Sequence, residues 1–567
     1  MANKKNLYDS YIRAIRWASD RIPEKGIVAF VTNGSFLDAN NMDGLRKCLT
    51  AEFSHLYVFN LRGNQRTSGE ESRSEGGKIF GSGSRTPVAI TLMVKDPAHT
   101  GLCELHHHDI GDYLSREEKL AIIDGFGSID GMSWQTLVPN AEGDWAEQRD
   151  PAFDAFIQLG NKDDTAAITI FATYSLGVGT NRDAWVYNFS KASVTSNMKR
   201  MTDFYNGEVE RYASACNNIQ KDQWPELEDF VSTDPKKISW SSSLLPNVGR
   251  GRVAVFDAAK LVQAAYRPYS KQWLYFDGMM NHRVGQWPIL FPADRHGNFV
   301  ISATGIGASK NFSALVTNSI PNLHTLDSAQ CFPLYWYERP EEKRKPTGDM
   351  FATGSTPDAD GYVRRDAITD WALSTFREHY ADPAIVKEDI FWYVYGILHS
   401  PEYKRRFATD LKRMLPRIPF AENFCAFCDA GRALGTWHLG NESVEPYPVV
   451  EESKRLVMEP GDYRVTKMSF GKKDGKPDKT VIVYNEHLTL RGIPIEAYDY
   501  VVNGKPAIEW IMERYAQTTD KDSGIKNDPN AWSTDNRYIV DLVKRIVRVS
   551  VESALIVKDL PGLNEAV

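Results

Sequence analysis

Between residues 246 and 310, eight Lys or Arg side chains stand against three Asp. Aromatic residues interleave with them. The run AYRPYSKQWLYFD sets Arg267 and Lys271 among Tyr266, Tyr269, Trp273, Tyr275 and Phe276, and Arg250 and Arg252 come shortly before it. Guanidinium and ammonium groups neutralise phosphates, and planar rings offer stacking surfaces to exposed bases. The combination points to a nucleic acid. It also reads as a β-rich core with solvated basic residues. A second basic stretch, YKRRFATDLKRMLPR (403–417), spaces Phe407, Leu411, Met414 and Ile418 for a core. Its Lys404, Arg405, Lys412 and Arg413 would lie elsewhere on the surface, against phosphate or against water alone.

Other chemistry-bearing patterns are incomplete. The loop FGSGSR (80–85) has the composition of a phosphate cradle, but such a loop follows a strand and opens a helix. This one runs straight into the strand PVAITLMV. His106-His107-His108 lies in the strand-like CELHHHDI, where only His106 and His108 share a face. Cys425-x-x-Cys428 is a lone pair, with His438 ten residues on. A structural zinc wants four ligands in recognisable spacing, and two Cys at i, i+3 beside Phe in a helix read as core. HExxH, GxSxG and GxxxxGK[ST] do not occur. Glu117-Glu118 sit in a polar helical context that does not single them out as an acid/base pair. No catalytic residue and no metal ligand is expected.

These residues belong to a chain of 567, enough for three or four domains each with its own core. The 42 % hydrophobic and 25 % charged fractions are those of a soluble globular protein. No run approaches the ~18–20 apolar residues of a membrane span, and MANKKNLYDSYIRAIRW lacks the apolar core of a signal peptide. Six scattered cysteines suit a reducing compartment. A cytoplasmic protein without membrane attachment is expected. The net charge of −7 argues against indiscriminate coating of nucleic acid but permits a local basic cleft.

The elements that must position the candidates follow from periodicity. A helix is expected over 7–22, then GIVAFV as a strand buried on both faces, MDGLRKCLTAEF as a helix and HLYVFNL (55–61) as a strand. A polar, glycine-rich loop leads to PVAITLMV. Two strands joined by a loop without an evident helix should be antiparallel neighbours. The strand CELHHHDI and the helix SREEKLAIIDGF come next. Residues 128–165 read as irregular, with the acidic GDWAEQRDPAFDAF. Strands and loops dominate 168–310. The Pro-, Gly- and charge-rich 338–366 read as a linker or exposed insertion. Helices then run through RDAITDWALSTFREHY to KRML, at 425–439, at PAIEWIMERYA and at the C-terminal RYIVDLVKRIVRVSVESALI, with strands across 462–502. SGIKNDPNAW has the turn formers that lock a loop. The fold class is α/β: a partial Rossmann-like sheet at the N-terminus, followed by a large α+β domain.

GIVAFVTNGSFLD (26–38), HLYVFNLRGN (55–64) and the Phe80-to-Val94 segment resemble the later motifs of amino-group DNA adenine methyltransferases. SLGVGTNRDAWVYN (175–188), AYRPYSKQWLYFD (265–277), YVYGILHSPEYKRRF (393–407) and YVVNGKPAIEWIMERYAQTTDKDSGIKNDPNAW (500–532) resemble the C-terminal target-recognition region of type ISP restriction-modification enzymes. Those are single polypeptides joining nuclease, helicase-like motor, methyltransferase and target-recognition domain. The resemblance implies that 1–165 is the C-terminal part of a methyltransferase domain, 166–345 a β-rich part of the recognition domain, and 346–567 its helical and mixed part.

Such methyltransferases bind S-adenosylmethionine through a glycine-rich turn after the first strand, and hold the target amine with an Asn/Asp-Pro-Pro-aromatic motif after the fourth. Neither motif is present here, so the sequence reads as starting just beyond the second. No cofactor site is expected in this chain, and S-adenosylmethionine is expected for the complete methyltransferase. Phe80 matches the aromatic that stacks on a flipped-out adenine; its other reading is an anchor for the long loop. Double-stranded DNA is the implied partner, with Arg182, Arg250, Arg252, Arg267 and Lys271 as its contacts and Asp183 orienting Arg182. A separate chain carrying the methyltransferase half, motor and nuclease would be a second partner of a split enzyme. The alternative is a truncated remnant or protein-interaction module with an exposed strand edge.

Overall fold

A computed structural model of the chain describes residues 7–67, 70–81, 83–164, 166–293, 296–339 and 357–564. The fold is mixed α/β, with several sheets in two compact units. The first comprises 1–155, 309–311 and 406–414; the second holds the rest. Among the described residues no helix is long and apolar enough to cross a membrane.

In the first unit, helix α1 (Ser10–Ser19) precedes strand β1 (Gly26–Asn33). Then come α2 (Asp43–Glu52), β2 (His55–Asn60), β3 (Val88–Lys95), β4 (Glu104–Asp109), α3 (Arg116–Phe126) and β5 (Gln135–Leu137). The sheet order is β1-β3-β2-β4-β5. β3 runs antiparallel to β1 and to β2, the pairing expected for β2 and β3, although their connection, read as a loop, carries a short helix at Glu70–Ser74. β4 is parallel to β2. Val28, Leu56, Val58 and Met93 pack with Ile12 and Ile15 of α1 on one side. Phe59, Leu61, Ile79 and Val88 pack near Ile122 and Phe126 of α3 on the other. Covering both faces explains why β2 and β3 read as continuous apolar runs; β1, expected to be buried on both faces, is covered on one only. β1 is an edge strand among the described residues, and one of its faces (Ile27, Ala29 and Val31) is exposed.

The acidic segment 143–155 has a clear use. Buried Asp144 pairs with Arg413, with Arg149 at 2.8 Å and with buried Arg46 at 3.5 Å. Asp150 pairs with Arg406 at 2.7 Å and Glu147 with Lys412 at 3.4 Å. Phe407 and Leu411 are in the core as expected. Arg413, expected on the surface, is instead almost fully buried, because Asp144 offers it a carboxylate inside the fold.

The second unit corrects one expectation. The 168–310 region, read as strands and loops, contains the 26-residue helix α4 (Lys191–Cys216). Its buried face is Val194, Met198, Met201, Tyr205, Val209 and Tyr212, at three-to-four spacing, capped by Ser190 accepting from Ser193 N at 3.1 Å. The segments 166–345 and 346–567, expected as two parts of one recognition domain, lie for the most part in this one unit. One hydrophobic core runs from Val178 to Val549. Strand β6 (Leu261–Arg267) pairs with β7 (Ser270–Tyr275) in a four-stranded sheet. Further on, β8 (Tyr335–Glu338) and β9 (Val363–Asp366) pair antiparallel, Glu338 opposite Val363. The flanks of the 338–366 segment therefore leave and rejoin the fold side by side, as an insertion does; residues 340–356 lie outside the described residues.

Helices α5 (Lys387–Ile397) and α6 (Phe424–Leu439) touch backbone to backbone. A Cβ on Gly431 would lie 1.9 Å from Trp392 O, so only glycine fits there. Cys428 is buried on this helix and Cys425 exposed. The unit closes with α7 (Tyr538–Lys558).

Candidate nucleic-acid interface

The motifs of the second unit meet in its interior. Tyr269 and Tyr500 hydroxyls are 2.8 Å apart. The Tyr395 hydroxyl lies 2.5 Å from His438 Nδ1, and His438 Nε2 lies 3.0 Å from Ser553 Oγ. His399 Nδ1 faces Tyr395 O at 2.8 Å. Burial pushes the His399 imidazole down to about 3 and that of His438 well below its ordinary value, so both are neutral. These groups join β7's leading turn, α5, α6 and α7 into one polar core.

The five expected contacts sort into interior and rim. Arg182 is 3 % exposed. Its Nε donates to Ser239 O at 2.9 Å, one terminal nitrogen to Ser241 Oγ at 2.7 Å, and the other to Met280 O. Its donors are spent within the fold, and burial without a carboxylate lowers its pKa to about 10. Asp183 does not orient Arg182: it accepts from Thr180 and lies 3.4 Å from Arg267. Arg267 also donates to Asn322 Oδ1 at 3.0 Å and lies 4.0 Å over the Tyr266 ring. Lys271 pairs with Glu442 at 2.5 Å. Arg182, Arg267 and Lys271 are thus scaffold side chains in this structure, because fixed acceptors engage their donors. SGIKNDPNAW is a locked loop: Asn530 bridges Val465 through its N–H (2.8 Å) and C=O (2.7 Å), and Asp520 accepts from Ser523 N at 2.8 Å.

Arg250 and Arg252 differ. Both are exposed, and neither pairs with a carboxylate among the described residues. Their backbone is nevertheless fixed. Gly251 takes φ +63, Tyr205 of α4 donates to Arg252 O at 2.8 Å, and Asn206 brackets Ala254 with two bonds of 2.9 Å. Val253 and Val255, 63 % and 76 % exposed, project from the same strip. Around it stand cations that the sequence reading did not single out. Lys199 of α4 lies over Phe256 at 5.4 Å, Arg200 over Trp185 at 4.9 Å, and Lys237 over Phe204 at 5.5 Å. Helical spacing on α4 was the signal that would have found two of them. Asp203 and Asp257 are the exposed acids nearby in sequence. A rigid backbone carrying unpaired guanidinium groups and exposed valines can offer charge to phosphate, forked donors to guanine and methyl groups to thymine.

In the first unit, Phe80 is 51 % exposed. Its neighbours do the anchoring. Ile79 is buried, its carbonyl accepts from Arg116 at 2.9 Å, and buried Lys119 donates to Leu61 O, Glu75 O and Gly77 O at 2.7–3.0 Å. The ring stands half exposed on a tied loop.

The second unit thus carries a braced, exposed basic strip on a large mixed core. The family described as "Type ISP C-terminal specificity domain" matches residues 169–542. Among solved structures, a nuclease-deletion mutant of the type ISP restriction-modification enzyme LlaGI, in complex with a DNA substrate mimic, is 38 % identical with a TM-score of 0.83. It is covered over 49 % of its length by 100 % of this chain. The ATP-dependent type ISP enzyme LlaBIII bound to DNA is 34 % identical at TM-score 0.81, with 100 % of this chain on 34 % of that one. The DrdV–DNA complex is 30 % identical at 0.79, with 99 % on 53 %. Comparison with curated proteins returns no match. The chain belongs to the type ISP restriction-modification family, and it corresponds to the C-terminal region; it spans between 34 % and 53 % of the length of these relatives.

Proposed function

We propose that this chain is the DNA-reading part of a type ISP-like restriction-modification system. It binds double-stranded DNA sequence-specifically and steers methylation of an adenine amine, and restriction, by catalytic parts outside this sequence. The strip around Arg250 and Arg252 is the observation that carries this reading, since its guanidinium groups are exposed and without a carboxylate partner among the described residues, on a backbone held by Tyr205 of α4. The solved relatives were captured on DNA or a DNA mimic, which supports it. Selection of bound duplexes from a random pool tests it. An enriched motif containing adenine is expected, and uniform recovery would reject sequence reading.

The first unit is then the end of a methyltransferase sheet. Its order β1-β3-β2, with β3 antiparallel between the other two, and the exposed face of edge strand β1 support that assignment. S-adenosylmethionine would be held by the part of such a sheet that carries the glycine-rich turn, and Phe80 would stack on the extruded adenine, offsetting part of an unpairing cost of a few kcal/mol. The chain alone is expected to leave DNA unmethylated when given labelled S-adenosylmethionine. With the catalytic parts supplied, Phe80→Ala should slow methyl transfer while leaving duplex binding intact.

A further inference from the structure

The sheet of the first unit brings together three side chains that no motif joined. In the parallel pairing of β2 with β4, His55 stands opposite Glu104 and Tyr57 opposite His106. The period of two puts His55, Glu104 and His106 on one face at one end of the sheet. His55 Nδ1 lies 3.3 Å from Glu104 Oε2, and His106 Nε2 lies 3.4 Å from the same oxygen. The three ligand atoms all fall within 4.8 Å of one another.

We propose that these residues form a binding site for a divalent metal of the zinc class. Three features favour a metal over a plain imidazole–carboxylate pair. Both ring nitrogens are buried, yet neither makes a hydrogen bond among the described residues, so their lone pairs or protons do not point at the carboxylate oxygen. Zinc bonds of about 2.0–2.1 Å give a tetrahedron edge of about 3.3–3.4 Å, which is the spacing of the two nitrogen–oxygen pairs. The rings are also held in place: Tyr57 stacks on His106 with 4.5 Å between centroids. Two imidazoles and one carboxylate suit zinc and its first-row neighbours and do not suit calcium or magnesium. Glu104 is half exposed, which leaves the fourth position to water. His99 packs edge-on against His55, but its Nε2 already faces Leu102 O at 2.8 Å. His108 faces Ser133 O at 2.7 Å and serves as the control. A metal here would clip β2 to β4, strands that lie 44 or more residues apart in sequence.

Calorimetric titration of the chelator-treated chain with Zn²⁺ tests the site. One equivalent per chain is expected, with His55→Gln and His106→Gln each weakening binding at least tenfold and His108→Gln leaving it unchanged. Equal stoichiometry and affinity in the wild type and in His106→Gln would overturn the proposal, as would absence of binding. X-ray absorption of the zinc-loaded wild type needs no variant to fold. It should show nitrogen and oxygen neighbours with imidazole scattering, and a sulfur shell would place the ion elsewhere and reject the site.

Discussion

The Arg182 region and the Arg250–Val255 strip are both arginine-bearing, both lie in the matched specificity domain, and both were expected at the DNA. Arg182 sits inside, engaged by Ser239, Ser241 and Met280. Arg250 and Arg252 sit outside on a backbone braced by Tyr205 and Asn206. In this domain charge alone does not mark a contact. What separates the two regions is whether the protein has already supplied the acceptors. An arginine whose donors are satisfied internally sets shape, and one left unpaired on a braced backbone is available to a ligand.

That contrast can be broken by experiment. Acid should act on the interior first. Unfolded, His399 and His438 take up protons near pH 6.5; folded, burial keeps both neutral, His399 down to about 3. The unfolded state therefore binds more protons across that window. Stability is fully present above pH 6.5 and falls as pH drops toward 3, by about 1.4 kcal/mol per pH unit for each histidine. Urea midpoints from pH 7 to pH 4.5 should decline, and His438→Gln should flatten the decline.

Next in size, Arg182→Ala should destabilise the second unit by about 3–5 kcal/mol, because three buried acceptors lose a charged donor. Denaturant unfolding measures this, and DNA affinity of the folded fraction should be unchanged. The double variant Arg250→Ala/Arg252→Ala should do the reverse. About 3 kcal/mol of duplex affinity is lost, roughly a hundredfold, with a shallower salt dependence and a melting temperature within a degree or two of wild type. A stable Arg182 variant with lost affinity would erase the distinction. Smallest is Lys271→Met, about 1 kcal/mol of stability from a partly exposed ion pair, with no effect on binding.

Much of the framework was legible. The apolar runs of β1, β2 and β3 announced strands, though β1 keeps one face exposed where burial on both was expected, and the polar link from β2 to β3 announced their antiparallel pairing although it holds a short helix. α4 was missed because Asn197, Thr202 and Glu208 interrupt its buried face, and its cationic residues went with it. The site was half legible. Residue type and neighbourhood pointed to Arg250 and Arg252, which the structure leaves exposed, while the acceptors around Arg182, the Asp183–Arg267 pair and Glu442 opposite Lys271 come from segments tens to hundreds of residues away. The same distance hid the approach of His55 to Glu104, which depends on strand register.

The β8–β9 pairing has a practical side. Since Glu338 and Val363 are register partners, whatever joins them hangs from two adjacent points. Each doubling of such a tether adds only about 0.6 kcal/mol of closure entropy. A fluorescent reporter or an affinity handle spliced between those strands should ride on the protein without disturbing the core beneath, giving an attachment point remote in sequence from the Arg250 strip for watching the molecule meet its duplex.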